Sequence, residues 1–339
     1  MGDATVELSR YGLALALVVL GMACLASAAG TEAGEAEGKA RPKIPVILDT
    51  DIGGDIDDTW ALALLLKSPE VDLKMVVSDY GDTPYRAKII AKLLEVAKRT
   101  DVQVGVGIQQ DTKGGPQAKW VEGYDLARYP GKVHQDGVGA MIDLIMRSSE
   151  PITLVAIGPV PNLKAALERK PEIAQRARFV GMHGSVRRGY DGRPTPDREW
   201  NVVANPKAAQ KVFTAAWPMT ITPLDTCGLV RLKGEKYRKV AECKDPLTRA
   251  VIENYEIWFK AGNPQRPGKP DASSVLFDTV AAYLSFANKL VNIERLPIRV
   301  TDDGFTRIDP QGKMVDCAMS WKELGAFEDF LVARFTGKQ

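Results

Sequence analysis

The chain has 339 residues, of which 45% are hydrophobic and 26% charged, and its formal net charge is +2. This globular composition excludes collagen-like, disordered and disulfide-scaffold proteins. The lack of a basic surplus argues against nucleic acid as a partner, and two His and four Cys without a C-x-x-C pair argue against a zinc site.

Residues 1–28 are predicted to be a signal peptide. Arg10 precedes an apolar run, and residues 26–28 (Ala-Ser-Ala) match the pattern of a signal peptidase site. Because the run is shorter than the about 20 residues of a spanning helix, we expect no stable membrane insertion after cleavage. An uncleaved anchor is the alternative. Residues 29–42, rich in Gly, Ala and Glu, are predicted to be a disordered tether. The protein is therefore expected to be exported.

Residues 43–339 are predicted to form a single domain. Short β-branched runs alternate with segments of helical spacing, which predicts an α/β fold with a mostly parallel central sheet and helices on both faces. The active site is then expected at the carboxyl ends of the strands. Strands are predicted at 44–50, 72–79, 102–108, 152–157, 177–182 and 218–224, and helices near 136–148, 160–169, 205–215 and through most of 232–290.

The most informative segment is the acidic loop after the first predicted strand. Asp49, Asp51, Asp55, Asp57 and Asp58 fall within ten positions. Carboxylates so close together raise one another's pKa values unless a cation compensates them. Oxygen-rich clusters of this kind suit Ca²⁺ or Mg²⁺, so the loop predicts a hard-cation site.

Three other interpretations of this loop compete with a hard-cation site. An EF-hand loop starting at Asp49 would need Glu at its twelfth position, where Trp60 stands. A phosphatase of the haloacid-dehalogenase type opens with D-x-D-x-T/V, which residues 49–53 match only in part. An acidic surface turn rarely follows so apolar a strand.

The loop resembles the opening signature of the inosine–uridine-type nucleoside hydrolases. The signature D-T-D-x-G…D-D-x-x-A-L stands here at residues 49–53 and 57–62, with two extra residues in the loop. Three later segments are similar to further motifs of that family, at 156–167, 198–213 and 276–286. Four motifs in the family's order extend the resemblance over essentially the whole mature chain.

The resemblance implies hydrolysis of the N-glycosidic bond of ribonucleosides to ribose and free base, with one Ca²⁺ in the pocket. Carried over by position, the metal ligands are Asp51, Asp58, the backbone carbonyl of Pro161 and Asp278. The Ca²⁺ would also bind ribose hydroxyls and a water, and Asp51 would take the proton of that water as the general base.

The resemblance also implies a set of sugar contacts. Asp57, Glu199 and Asn201 are expected to bind ribose hydroxyls, and Asp82 is expected to contact the ribose from the position of the family's G-N pair. Two structural alternatives stay open. The Glu199 segment could be a polar rim around a buried tryptophan, Trp200, and Asp278 could be a helix N-cap.

Phe277 departs from the family pattern. Many members have a His here that protonates the departing base, so Phe277 is expected to line the base side of the substrate site without that function. Aromatic stacking is one substitute, with Trp120, or Trp258 or Tyr255, as the stacking partner. His183, after the fifth predicted strand, could also face the pocket.

The expected partner is a small-molecule ribonucleoside. Homo-oligomers are implied by the resemblance, because they are frequent in the family. Two alternative functions share the same motifs: hydrolysis of another N-riboside, and non-catalytic binding of Ca²⁺ and ribose.

Overall fold

The structure is a computed structural model that describes residues 42–337. The predicted signal peptide and the predicted tether up to residue 41 lie outside the described residues, so both stay predictions. Within residues 42–337, no helix combines the length and the apolar character needed to cross a membrane.

A central sheet organises the described domain. Its strands are β1 (Ile44–Thr50), β2 (Val71–Ser78), β3 (Gln103–Val106), β4 (Val133–His134), β5 (Ile152–Ala156), β6 (Ala177–Met182), β7 (Met219–Thr222), β8 (Val291–Val300), β9 (Thr306–Ile308) and β10 (Lys313–Trp321). They lie in the order β4-β3-β2-β1-β5-β6-β7-β10-β8-β9. All neighbours pair in parallel except β10 with β8 and β8 with β9. The predicted α/β class with a mostly parallel sheet is confirmed.

Helices cover both faces of the sheet. They are α1 (Asp57–Leu66), α2 (Thr83–Val96), α3 (Gly137–Arg147), α4 (Pro161–Arg169), α5 (Trp200–Val203), α6 (Pro206–Thr214), α7 (Leu224–Cys227), α8 (Gly234–Ala241), α9 (Pro246–Ala261), α10 (Phe277–Leu284) and α11 (Leu324–Thr336). Alternate residues of β1 enter different apolar cores. Val46 and Leu48 pack with α1, α2 and α10, whereas Ile47 packs with α3, α4 and α6.

Strand β1 sits at the point where the chain changes direction across the sheet. The chain runs from β1 outward through β2 and β3 on one side, and it continues through β5 and β6 on the other. In open α/β sheets, ligands bind beyond the carboxyl ends of the strands at such a switch point. The segments that follow Thr50, Ser78, Ala156 and Met182 are therefore brought to one crevice.

The edge formed by β8, β9 and β10 was not predicted. Strand β8 is only half buried and carries the charged residues Arg295 and Arg299 on exposed positions. Its apolar residues do not form the continuous run that marks a strand buried on both faces. The antiparallel edge therefore lacks the signal by which the central strands were found.

Candidate active site

A cavity of about 330 Å³ opens at the carboxyl ends of β1, β2, β5 and β6. Seven of the ten residues predicted to form the site line it: Asp51, Asp57, Asp58, Glu199, Asn201, Phe277 and Asp278. The other three, Pro161, Asp82 and Trp120, are not among its lining residues. Residues more than 200 positions apart in the sequence thus meet in one crevice.

The loop between β1 and α1 turns sharply enough to aim several carboxylates at the same point. Gly53 has a φ of +101°, and a Cβ at this position would lie 2.8 Å from atoms of Tyr85 and Ile89. Only glycine tolerates both the backbone conformation and this close approach. The loop ends in the first turn of α1, where the partial positive charge of the helix N-terminus favours the acidic Asp57 and Asp58.

Three buried carboxylates form a compact trio. One oxygen from each of Asp57, Asp58 and Asp278 lies within 4.8 Å of the other two. The Asp278 N–H also donates to Asp57 Oδ2 at 3.3 Å, and the Thr50 hydroxyl donates to Asp58. Asp57 was predicted to be a sugar contact, but it lies in the trio, whereas the predicted ligand Asp51 lines the same cavity outside it.

The electrostatics of the trio call for a cation. Burial, and then repulsion from neighbouring carboxylates, raises the pKa of Asp57, Asp58 and Asp278 well above the usual range. Three carboxylates cannot all be ionised in this setting unless positive charge compensates them. Because every donor is a carboxylate oxygen, the set fits a hard cation such as Ca²⁺ or Mg²⁺.

Arg86 is the only cationic residue among the described residues that line the cavity, and its charge acts on both Asp51 and Asp58. Burial raises the pKa of the Asp51 carboxyl, and the positive charge of Arg86 lowers it. The Arg86 guanidinium itself is held by the acidic loop, because its Nη1 donates to Ile52 O at 3.0 Å. Sequence analysis did not single out Arg86, since it lies in an amphipathic helix with no motif around it.

Glu199 and Asn201 reach the cavity from the short helix α5. Glu199 is the N-cap of α5, and it accepts hydrogen bonds from the backbone N–H groups of Gly184 and Asn201 at 2.9 and 2.7 Å. Burial raises the pKa of Glu199 to about 7, although these donors favour its ionised form. The Asn201 amide donates to the carbonyls of Ile157 and Met182, so its Oδ1 is left to accept from a ligand.

Two buried polar side chains, Asp79 and Asn162, hold the loops that surround the cavity. Asp79 Oδ2 accepts from the backbone N–H of Val160 at 2.9 Å, and this holds Val160 in a left-handed conformation with φ +58°. Asn162 Nδ2 donates to Asp49 Oδ1 at 2.9 Å. Pro161 lies between Val160 and Asn162 as the first residue of α4, and it does not line the cavity. Its carbonyl as a metal ligand therefore stays a prediction.

Asp82 lies outside the cavity, in contrast to the ribose contact expected for it. It is the N-cap of α2, where Oδ1 accepts from the Tyr85 N–H and Oδ2 from the Gly114 N–H, both at 3.1 Å. Its carboxylate is occupied in joining the start of α2 to the loop after β3. The sequence prediction failed because Asp is also a favoured helix N-cap, so an Asp before a helix does not by itself indicate a sugar contact.

The tryptophans considered for base stacking also lie outside the cavity. Trp120 is 8% exposed, and Lys92 Nζ lies 4.5 Å from its ring centroid. Trp258 stacks on Tyr255 with ring centroids 6.0 Å apart, and its Nε1 donates to Gly54 O at 3.1 Å. Trp258 therefore supports the acidic loop, whereas Trp120 packs against α2.

Different aromatic residues surround the cavity. Trp200 is 55% exposed, and its ring meets Tyr80 edge-on at a centroid distance of 6.5 Å. Tyr190 meets Phe277 edge-on at 6.1 Å, and its hydroxyl accepts from the Trp200 N–H at 2.9 Å. Tyr80, Tyr190 and Trp200 were not predicted to be site residues. The one available signal was the place of Trp200 between two predicted sugar contacts.

His183 is part of the core and does not line the cavity. Its Nε2 lies 3.0 Å from Gly158 O, and its ring packs against Phe179 and Phe213. Burial lowers the pKa of His183 from 6.5 to about 4. The ring is therefore neutral near neutral pH and is poorly suited to protonate a leaving group.

The neutral state of His183 predicts a pH-dependent stability. Between pH 6.5 and about 4 the unfolded chain binds a proton at this position that the folded chain does not, so stability is lost as the pH falls. We expect lowering the pH from 6.5 to about 4 to reduce the free energy of unfolding of the native chain by about 3 kcal/mol more than that of His183→Gln. Urea titrations of both proteins at a series of pH values check this, and parallel pH profiles would contradict it.

Comparison with known proteins places this geometry in a family context. The sequence model of the family described as inosine-uridine preferring nucleoside hydrolase matches residues 46–326. The chain is 30% identical over 236 residues to the pyrimidine-specific ribonucleoside hydrolase RihA of Enterobacter sp. (strain 638), which covers 66% of this chain and 74% of that protein.

Solved structures of similar fold lead to the same group of proteins. A plant nucleoside hydrolase superposes with a TM-score of 0.71 at 22% identity, covering 87% of this chain and 99% of that one. A purine-preferring ribonucleoside hydrolase from Gardnerella vaginalis superposes with a TM-score of 0.70 at 21% identity, covering 87% and 98%. At these identities the superpositions support the fold alone.

Proposed function

The chain belongs to the inosine-uridine preferring nucleoside hydrolase family and hydrolyses N-glycosidic bonds of ribonucleosides, and we propose that it does so with Ca²⁺ in the acidic cavity and Asp51 as the general base. The observation that carries the proposal is the buried trio Asp57, Asp58 and Asp278, which lies in one cavity with Asp51. Membership in a hydrolase family disfavours the non-catalytic binding protein and the phosphatase considered above.

The residues that would hold the metal ion are all oxygen donors. Asp58 and Asp278 are proposed as ligands together with Asp51, and the Pro161 carbonyl is retained as a ligand on the resemblance alone. The trio suggests Asp57 as a further candidate ligand. When bound, Ca²⁺ would act as a Lewis acid that favours deprotonation of a coordinated water and would bind ribose hydroxyls.

The protein's own residues would supply the rest of the chemistry. The Asp51 carboxylate accepts the proton of the water that attacks the anomeric carbon. Glu199 and Asn201 orient the sugar, with Asn201 Oδ1 accepting from a hydroxyl. As the C–N bond breaks, positive charge grows on the ribose, and the surrounding carboxylates stabilise it.

We expect base release to depend on the metal ion. Purified protein incubated with inosine, guanosine, adenosine, uridine and cytidine should release free base and reducing sugar when Ca²⁺ is present. Removal of the ion with a chelator should lower the rate by about 10²-fold or more, since Lewis-acid assistance is lost, and added Ca²⁺ should restore it. Chromatography of the released base and a reducing-sugar assay measure both products.

The control for this experiment is Asp143→Asn, which removes an exposed carboxylate from α3, far from the cavity, and should leave the calcium dependence unchanged. Undiminished turnover in chelator would contradict the proposed role of Ca²⁺. Folded, calcium-loaded protein that releases no base from any nucleoside would contradict nucleosides as substrates.

A second candidate is hydrolysis of another N-riboside. Phe277 favours it, because this side chain lines the cavity where a proton donor for the leaving base is expected from the resemblance. A panel of ribosides with different leaving groups would separate the two candidates.

We also propose that the reaction takes place outside the cytoplasm. The support is the signal-like pattern of residues 1–28. Expression of the full chain in a bacterial host should yield exported protein that begins at Ala29, which N-terminal sequencing checks. Cytoplasmic protein that retains residue 1 would contradict this proposal.

A further inference from the structure

One positively charged side chain faces an otherwise acidic and aromatic cavity. Arg86 lies in the first turns of α2 and is the only cationic residue among the described residues that line the cavity. Within residues 42–337, none of the ion pairs includes Arg86. No carboxylate of the described residues therefore forms a direct ion pair with Arg86, and its positive charge is available to a ligand.

The guanidinium is nevertheless held in place. Its Nη1 donates to Ile52 O at 3.0 Å, and within the described residues its buried Nε has no hydrogen-bond partner. The guanidinium also lies beside two glycines. A Cβ on Gly54 would lie 3.5 Å from Nη1, and a Cβ on Gly81 would lie 3.4 Å from Nη2, both ordinary contact distances. The group is therefore positioned and still has donor capacity for a ligand.

Arg86 lies across the cavity from the proposed sugar contacts. It follows β2, whereas Glu199 and Asn201 follow β6, and β1 and β5 separate these strands in the sheet. A riboside whose hydroxyls face Glu199 and Asn201 can therefore direct its base toward Arg86. The charge of Arg86 also reaches Asp51 and Asp58, so the guanidinium lies beside the acidic loop as well as opposite the sugar contacts.

The described lining contains no His, Lys or Cys that could protonate the leaving base. The Glu199 carboxyl, whose pKa burial raises to about 7, is held on the side of the sugar contacts by two backbone N–H groups. Burial raises the pKa of the Tyr190 hydroxyl, and this hydroxyl already accepts the Trp200 N–H. Phe277 has no proton to give. A departing base must then leave without a proton from the protein, or leave more slowly.

We propose that Arg86 is a catalytic residue that stabilises the departing base as an anion, so that the enzyme prefers ribosides whose free base is a comparatively strong N–H acid. This inference rests on the proposed function and adds the leaving-group half of the reaction. A guanidinium cannot act as an acid in proteins, but fixed positive charge in a water-poor site stabilises developing negative charge strongly.

The step balances without any further reactant. The C–N bond breaks, and its electron pair leaves with the base nitrogen, which becomes an anion beside the Arg86 guanidinium. The water oxygen bonds to the anomeric carbon and gives its proton to Asp51. The base anion then takes a proton from solvent, and Asp51 releases its proton to solvent, so that the products are ribose and neutral base.

The test compares leaving groups of graded acidity. Cytidine, adenosine, inosine and xanthosine release bases of increasing N–H acidity, and p-nitrophenyl β-riboside releases a stable anion that needs no assistance. With native enzyme and Ca²⁺, kcat/KM should rise along this series. In Arg86→Met, kcat/KM for inosine and xanthosine should fall by about 10²-fold, while that for p-nitrophenyl riboside should change by less than about threefold.

Two further variants complete the experiment. Arg86→Lys keeps the charge and should recover part of the lost rate on inosine. Lys88→Met removes the same charge from the same helix outside the cavity and should behave as native enzyme. Thermal melts check that every variant is folded.

The outcomes separate this inference from the proposed function. If folded native enzyme cleaves neither nucleosides nor p-nitrophenyl riboside, the proposed function fails, and the inference fails with it. If native enzyme cleaves both, and Arg86→Met slows both equally, Arg86 acts on the acidic residues or the sugar and only the inference fails. Equal rates for cytidine and xanthosine would overturn it as well.

Discussion

Replacing Asp51 by Asn is expected to lower kcat for base release by about 10³-fold or more while leaving the protein folded. The amide has nearly the shape of the carboxylate but cannot accept the proton of the attacking water. It also removes one negative charge from a cavity in which Asp57, Asp58 and Asp278 crowd together. Steady-state kinetics with a saturating nucleoside measure the loss, and calorimetric titration with Ca²⁺ shows whether ion binding is retained.

Asp82→Asn is the matched control for this variant. It makes the same chemical change on the next strand's loop, but Asp82 is a helix cap outside the cavity. Asn keeps the cap on the Tyr85 N–H and gives up only the hydrogen bond from the Gly114 N–H. Native-like kcat in this control, beside the inactive Asp51→Asn, would link the loss to the cavity. A large loss in Asp82→Asn would show that the sugar contact expected from the sequence exists after all.

Replacing Asp278 by Asn is expected to have opposite effects on stability and on function. In metal-free protein, burial and repulsion raise the pKa of Asp278 well above the usual range, so its ionised form destabilises the fold. The uncharged amide should raise the free energy of unfolding of the metal-free protein by about 1–2 kcal/mol. The same variant should lose base release, and Ca²⁺ should no longer raise its Tm.

The acidic cavity also sets the sign of the pH dependence without metal. Carboxyls with raised pKa values, such as Glu199 in the cavity and the buried Asp49 beside it, both at about 7, bind protons in the folded state that the unfolded state has already lost. This contribution to stability is therefore complete at acid pH and is lost as the pH rises through about 7. Added Ca²⁺ should offset that loss in native protein but not in Asp278→Asn. Thermal melts across this range, with and without Ca²⁺, measure both effects.

Much of the fold followed from local pattern. The apolar run 44–50 and five later runs predicted six of the parallel strands closely, because a strand buried on both faces must be apolar along its whole length. The two-residue parallel strand β4 (Val133–His134) was not predicted, since it is too short to give a pattern. The acidic loop was equally legible, since Asp51, Asp57 and Asp58 are close in sequence and follow a buried strand. Strand β8 was missed because it is partly exposed and its pattern is mixed.

The sequence by itself determined the composition of the acidic loop, the class of fold and the edge of the sheet at which the loop lies. Only the tertiary structure decided which distant residues join it. The packing of α10 against α1 brings Asp278 to Asp57, and the turn into α2 uses Asp82 as a cap. Local spacing specifies on which element a side chain lies, but the crossing of elements specifies what it meets. That is why Arg86, Tyr80 and Trp200 became visible as site residues only in three dimensions.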